Sequence, residues 1–132
     1  RENFVERVRE ITSGQGVAVV YDSVGKETFL GSLDCLRPLG MMVSFGNASG
    51  PVPPFEPGIL AAKGSLFLTR PTLMTYTAQR PDLLASAADL FAVVQSGAVK
   101  IEVRQTYPLA EAAQAHRDLE ARRTTGSTVL LP

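Results

Sequence analysis

Three short segments of small, polar and glycine residues follow predicted strands at the points where those strands end. They are DSVG (22–25), FGNASG (45–50) and TRPT (69–72). In an open parallel sheet, ligands bind outside the carboxyl ends of the strands, where loops and helix N-termini converge. Glycine lets backbone approach a ligand closely, while Asn, Ser and Arg offer hydrogen bonds and a positive charge. Each segment alone fits an ordinary turn, but three at one edge of a sheet predict a binding site.

The sequence lacks the usual motifs for phosphate and metal binding. GQG (14–16) has the first two glycines of the dinucleotide-binding fingerprint, but it precedes a predicted strand instead of following one. One cysteine and one histidine are too few for a zinc centre, and we expect Cys35 and His116 to pack in the core. Asp22 and Asp34 are too isolated to form an acid–base pair. The sequence therefore predicts no metal site and contains no recognisable acid–base pair.

Hydrophobic patterns predict alternating helices and strands over the first half of the chain. Continuous apolar runs are typical of parallel strands that are covered on both faces. Such runs lie at 17–21, 41–45 and 65–69. Residues at helical spacing predict a helix around 4–11, a second helix from Phe29 that Pro38 stops, and a short helix around 59–62. Because strand–helix–strand crossovers are right-handed, these elements predict a three-stranded parallel sheet.

The second half of the chain has a different pattern. Apolar residues from Leu83 to Val94 recur at helical spacing and predict a long helix, with Gly97 past its end. An alternating strand is expected at 99–103, another helix at 108–122, and a short closing strand at 127–131. These last two strands need not join the first sheet.

Composition and charge exclude several classes of partner. Thirteen basic and thirteen acidic side chains cancel, so neither nucleic acid nor an anionic membrane is an expected partner. No apolar run approaches the roughly 20 residues of a membrane span. The single cysteine cannot form an internal disulfide, which favours a reducing, cytoplasmic location. The sequence has no initial Met and opens in a helical pattern, and we expect it to be part of a longer chain.

Four segments together indicate a family. They are GVAVVYDSVGKETFLGSLDCLRPLGMMVSFGNASGPVPPF (16–55), KGSLFLTRPTL (63–73), YPLAEAAQAH (107–116) and GSTVLLP (126–132). The chain resembles the NADPH:quinone oxidoreductases, the zinc-free, zeta-crystallin-like branch of the medium-chain dehydrogenases/reductases. The resemblance covers the C-terminal part of the family's chain, without its glycine-rich pyrophosphate turn.

The resemblance implies an α/β fold. It is a partial Rossmann fold of three parallel strands with flanking helices, followed by a C-terminal helix–strand–helix–strand segment. Residues 1–71 then form the C-terminal half of the dinucleotide-binding domain, and residues 72–98 complete it. Residues 99–132 return to the catalytic domain of the family.

The resemblance also implies an activity and a site. The family transfers hydride from NADPH to a quinone or related enone, so the cofactor carries the chemistry and the protein orients it. The resemblance therefore implies no catalytic acid, base or nucleophile among these residues. The loop after the first strand would lie by the adenosine side of NADPH, and the other two by its nicotinamide half. The cofactor-binding residues implied are Ser23, Phe45, Gly46, Asn47, Thr69, Arg70 and Arg122. Since Arg122 ends a predicted helix, a solvated helix terminus is an equal interpretation of that residue.

Two classes of function follow from this sequence. The chain is either part of a quinone reductase, with an incomplete NADPH site and a homodimer contact through strand 65–69, or a stand-alone, non-catalytic binding module. For the first class we expect the isolated 132 residues to be inactive, and the free edge at 17–21 to promote further association. We also expect Gly46→Val to weaken cofactor binding in the full-length protein with little loss of stability.

Overall fold

A three-stranded parallel sheet forms the centre of the first part of the chain. The computed structural model describes residues 2–132, which separate into two compact units, the first ending at Ala78 and the second covering Gln79–Pro132. The strands of the first unit are β1 (Val17–Asp22), β2 (Leu36–Ser44) and β3 (Phe67–Thr69). Its helices are α1 (Phe4–Ile11), α2 (Phe29–Asp34), α3 (Gly58–Ala62) and α4 (Leu73–Tyr76). The strand order is β1–β2–β3 and both pairings are parallel, which confirms the predicted sheet.

The core of this unit lies between α2 and one face of the sheet. Its buried apolar side chains are Phe29, Leu33, Leu36, Met42 and Leu66. Cys35 is buried beside them, as the sequence predicts. Each fully buried apolar side chain of this size contributes about 1.5–3 kcal/mol, so this cluster stabilises the packing of α2 on β2, and the partly buried Val17 and Val20 of β1 pack against it.

The second helix ends before Pro38 and not at it. α2 ends at Asp34 and β2 already begins at Leu36, so the expectation that Pro38 stops a helix is wrong. The pairing of β1 with β2 has a bulge directly after Leu36, in which Leu39 adopts a left-handed φ of 60°. A bulge is one of the few places where a strand accepts proline, because proline has no N–H for the ladder.

The second unit contains a two-stranded parallel sheet with helices. Its elements are α5 (Arg80–Gln95), β4 (Val103–Pro108), a 3-10 turn (Leu109–Glu111), α6 (Ala112–Glu120) and β5 (Ser127–Leu131). β4 pairs with β5 from Val103 opposite Ser127 to Pro108 opposite Leu131. The strand was expected at 99–103, but the observed β4 begins at Val103, the last residue of that range. Pairing with β5 determines which residues form the strand.

Apolar residues of the second unit remain largely exposed. His116 is exposed on α6 and borders an open cavity of about 170 Å³, so the expectation that it packs in a core is wrong. In α6 the buried residue is Ala115, and among the described residues α5 buries none of its side chains. Among residues 2–132, the helices fall short of the length and apolarity that a membrane crossing requires.

Candidate cofactor-binding site

The carboxyl ends of the three strands of the first unit lie next to one another. β1 ends at Asp22, which is paired with Ser44 at the end of β2. Val43 of β2 is paired with Thr69, the last residue of β3. The segments 22–25, 45–50 and 69–72 consequently leave the sheet at the same edge, where the sequence analysis expects a site.

The loops that follow β1 and β2 are bonded to each other. Backbone N–H groups of the second loop donate to carbonyls of the first: Phe45 to Asp22 at 2.8 Å, Ala48 to Ser23 at 3.2 Å and Ser49 to Val24 at 2.8 Å. The Ser49 hydroxyl also donates to the Val24 carbonyl, at 2.8 Å. These bonds continue the pairing of β1 and β2 beyond the strands. Residues 22–25 and 45–50 therefore form one hydrogen-bonded pair of loops, which we call the ledge.

Gly46 is a glycine because of this ledge. A Cβ atom at residue 46 would lie 2.3 Å from the Ser23 carbonyl oxygen and 2.8 Å from the Ser23 Cα. Both are backbone atoms, so the close approach that requires glycine is made by the neighbouring loop. The expectation that Gly46→Val leaves the fold nearly unperturbed is therefore wrong.

The buried side chain of Asp22 fixes the conformation of the first loop through hydrogen bonds. Its side chain is only 4% exposed. One carboxylate oxygen accepts hydrogen bonds from the backbone N–H groups of Val24 at 2.8 Å and Gly25 at 2.9 Å. The hydroxyls of Thr28 and Ser32 donate to the carboxylate at 2.8 Å. The group is isolated from other acids in sequence, as predicted, but four donors surround it.

These donors decide the charge of Asp22. Burial by itself raises the pKa of this carboxyl. Hydrogen bonds from Gly25, Thr28, Ser32 and Val24 stabilise the charged form more strongly and hold the pKa below its ordinary value of 3.8. Asp22 is therefore ionised at neutral pH.

Open grooves lie on both sides of Arg70. One has a volume of about 290 Å³ and is bordered by Asn47, Phe55 and Leu68 as well as Arg70. The other has a volume of about 550 Å³ and includes Phe45 and Tyr76. The Arg70 guanidinium donates to the Ser44 carbonyl at 2.9 Å, which anchors a positive charge between two largely apolar walls. Such walls suit flat rings, and the guanidinium suits a carbonyl or an anionic group.

Six of the seven residues implied for the cofactor lie at this edge. They are Ser23, Phe45, Gly46, Asn47, Thr69 and Arg70. Ser23, Phe45, Asn47 and Arg70 are exposed there. Arg122 belongs to the second unit, where it follows the C-cap of α6 with a left-handed φ of 58°.

The role of Asp22 in shaping the first loop was not predicted. Its signal was local: an Asp at a strand end, followed by Gly three residues later and Thr six residues later, is typical of a side chain that bonds its own loop. Tyr21 and Tyr76, which both border the larger groove, were also not identified, because they are far apart in the sequence and come together only in the folded chain.

The family of the chain follows from a comparison with known proteins. A model described as zinc-binding dehydrogenase matches residues 1–130. The chain therefore belongs to the zinc-binding dehydrogenase family. Its resemblance to the quinone oxidoreductases is confirmed by the individual relatives.

Two curated relatives are similar over almost the whole chain. The quinone oxidoreductase of Pseudomonas aeruginosa is 56% identical over 131 residues, which is 99% of this chain and 40% of the relative. The 2-haloacrylate reductase of a Burkholderia species is 48% identical over 132 residues, again 99% of this chain and 40% of the relative. The chain thus spans about 40% of the length of these relatives.

A solved structure confirms the fold. The crystal structure of Escherichia coli quinone oxidoreductase complexed with NADPH matches with a TM-score of 0.92 and 50% identity. The match covers 100% of this chain and 41% of that chain. The parallel α/β arrangement predicted from the sequence is therefore that of a known NADPH-binding protein.

The described residues do not form the zinc site that the family's name suggests. Within residues 2–132, no group of three or more His, Cys, Asp or Glu side chains lies close enough to hold a metal ion. Burial raises the pKa of the Cys35 thiol, an effect that Arg9 opposes and Asp34 reinforces. A thiol that resists ionisation is a poor zinc ligand, so no step of the chemistry is assigned to zinc here.

Proposed function

We propose that this chain is part of an oxidoreductase that transfers hydride from NADPH to a quinone or a related enone. Its strand ends would form one half of the cofactor site. The observation that carries the proposal is the rigid ledge of the two bonded loops beside Arg70, at the edge of a parallel sheet. A protein of known structure with 50% sequence identity to this chain is complexed with NADPH. A curated relative is a quinone oxidoreductase.

The residues of the chain have positioning roles in this proposal. NADPH supplies the hydride when it is bound. Ser23 would line the adenosine side, while Phe45, Gly46 and Asn47 would lie along the nicotinamide half. Thr69 and Arg70 would approach the nicotinamide from β3, where Arg70 offers a donor to a carbonyl oxygen. The resemblance also suggests Arg122 as a cofactor contact.

The proposal is tested by placing a charge on the ledge of the full-length protein. Asn47 is exposed and its side chain makes no hydrogen bond within the described residues, so Asn47→Asp adds a negative charge with little change in shape. We expect up to about fivefold weaker NADPH binding, because an exposed negative charge repels the phosphates of the anionic ligand by up to about 1 kcal/mol and by less as their distance grows. The measurement is the dissociation constant by fluorescence titration.

The matched control is Gln15→Glu. Gln15 is exposed and precedes β1, at the amino ends of the strands, so the same charge change there should leave NADPH binding unaltered. Equal dissociation constants for wild type and Asn47→Asp, or an equal loss in the control, would refute the assignment of this edge.

We also propose that the full-length protein forms a homodimer through β3. β3 pairs with β2 on one side only in the described sheet, and Phe67 is 57% exposed. Two copies can pair such edges about a two-fold axis, and Pro71 ends the ladder because it has no N–H to donate.

A substitution at this edge tests the dimer. Phe67→Asp should convert the dimer to a monomer by light scattering, since it places a charge in the apolar contact. The control is Leu30→Asp, because Leu30 on α2 is also 57% exposed and should tolerate the change. A monomeric wild type, or a Phe67→Asp dimer as stable as the wild type, would contradict this proposal.

A further inference from the structure

We propose that Asp22 is a positioning residue for the cofactor, whose buried carboxylate sets the conformation of both loops of the ledge without touching the ligand. This inference rests on the proposed function, because it concerns the same edge of the sheet. It assigns a role in cofactor affinity to a side chain that is 4% exposed.

The carboxylate determines the path of the first loop. By accepting the N–H groups of Val24 and Gly25, it folds the chain sharply after β1. Gly25 has a φ of 89°, and its carbonyl accepts the N–H of Phe29 at 2.9 Å, at the first turn of α2. The Thr28 and Ser32 hydroxyls then join the same carboxylate to α2. Strand, loop and helix thus share one anchor.

Hydrogen bonds to the first loop fix the position of the second. Ser23 and Val24 directly follow Asp22 in the chain. Their carbonyls accept the N–H groups of Ala48 and Ser49. The exposed Asn47 is held between Gly46, which contacts Ser23, and Ala48. A change in the path of residues 23–25 therefore displaces the part of the second loop that faces the proposed ligand.

A purely structural Asp22 and a positioning Asp22 predict different measurements. A structural residue affects the free energy of unfolding alone, whereas a positioning residue raises the dissociation constant and KM for NADPH while kcat changes little. A displacement of about 1 Å can cost on the order of a hundredfold in rate when it misplaces a reacting group, so a smaller displacement of binding groups fits a smaller loss.

Three variants of the full-length protein separate the contributions. Asp22→Ala removes the anchor. Asp22→Asn keeps one oxygen for the two N–H groups, and its amide can donate to the hydroxyls, which rotate to accept. Thr28→Val keeps the shape of residue 28 but removes a hydroxyl that donates to both carboxylate oxygens. The control is Thr12→Val, since the Thr12 hydroxyl bonds Val8 and Gly16 before β1.

The readouts are the NADPH dissociation constant, KM and kcat with a quinone acceptor, and the melting temperature. We expect about tenfold weaker binding for Asp22→Ala, a smaller loss for Thr28→Val, and near wild-type binding for Asp22→Asn. Thr12→Val should lower the melting temperature without weakening binding. If Asp22→Ala does not fold, Thr28→Val decides the question.

Wild-type affinity in Thr28→Val and Asp22→Ala would overturn the inference while leaving the proposed function intact. Equal losses in Asp22→Asn and Asp22→Ala, or in Thr28→Val and Thr12→Val, would also overturn it. A wild-type protein that binds no NADPH would refute the proposed function itself, and the inference with it.

Discussion

Replacing Gly46 by alanine tests the packing of the two loops most sharply. The new methyl carbon would sit 2.3 Å from the Ser23 carbonyl oxygen, and ordinary contact begins at 3.4 Å. The loops must therefore separate by about 1 Å, because the clash involves backbone atoms that cannot rotate away. This separation acts directly on the hydrogen bonds that Phe45 and Ala48 donate to the first loop.

The expected cost follows from these contacts. Overpacking by one methyl group costs about 1–3 kcal/mol, and each weakened backbone hydrogen bond adds about 1 kcal/mol. We expect Gly46→Ala to lower the free energy of unfolding by about 3–5 kcal/mol and to weaken NADPH binding together with it.

The assay is chemical denaturation of the full-length protein, followed by circular dichroism, with hydrogen exchange of the peptide that contains residues 45–50. Gly58→Ala is the control, because a Cβ atom there meets nothing within 4 Å. Since Gly58 begins α3, alanine should be neutral or stabilise by up to about 1 kcal/mol. Unchanged stability and exchange in Gly46→Ala would refute the proposed reason for this glycine.

Three further outcomes are expected. Because the folded-state pKa of Asp22 lies below 3.8, its stabilising contribution is present above about pH 4 and is lost as the pH falls through that pKa. Acid unfolding monitored by circular dichroism should therefore be steeper for the wild type than for Asp22→Asn, and parallel curves would contradict this. Cys35 is buried and burial raises its pKa, so iodoacetamide should modify it slowly at pH 8 until the protein is unfolded, as peptide mass spectrometry would show; rapid labelling of the native protein would argue against the packing. The isolated 132 residues should show no NADPH-dependent quinone reduction above a protein-free blank, since they hold one side of the site, and turnover by the purified chain would refute this.

The existence and order of the three strands of the first sheet were predictable, because each contains a short apolar run between turn residues. The ends of elements were less so. Pro38 reads locally as a helix stop, but the bulge that accommodates it depends on β1, which lies about twenty residues earlier. The start of β4 likewise depends on its pairing with β5.

The location of the candidate site was predictable for a different reason. Parallel strands bring their carboxyl ends to one edge, so the three polar segments had to converge. The reason for Gly46 was not predictable, since its neighbour Ser23 belongs to another loop. His116 was expected in a core because its helix has an apolar face, but among the described residues that face has little to pack against.

Hydrogen exchange of the full-length protein, with and without NADPH, tests the central claim most directly. The claim is that the carboxyl ends of β1, β2 and β3 form one side of the cofactor site. NADPH should slow exchange in peptides that cover residues 23–28, 45–50 and 69–72, and leave residues 12–16 at the amino end of β1 unchanged. NADPH that binds without slowing exchange in any of these three segments would contradict the account.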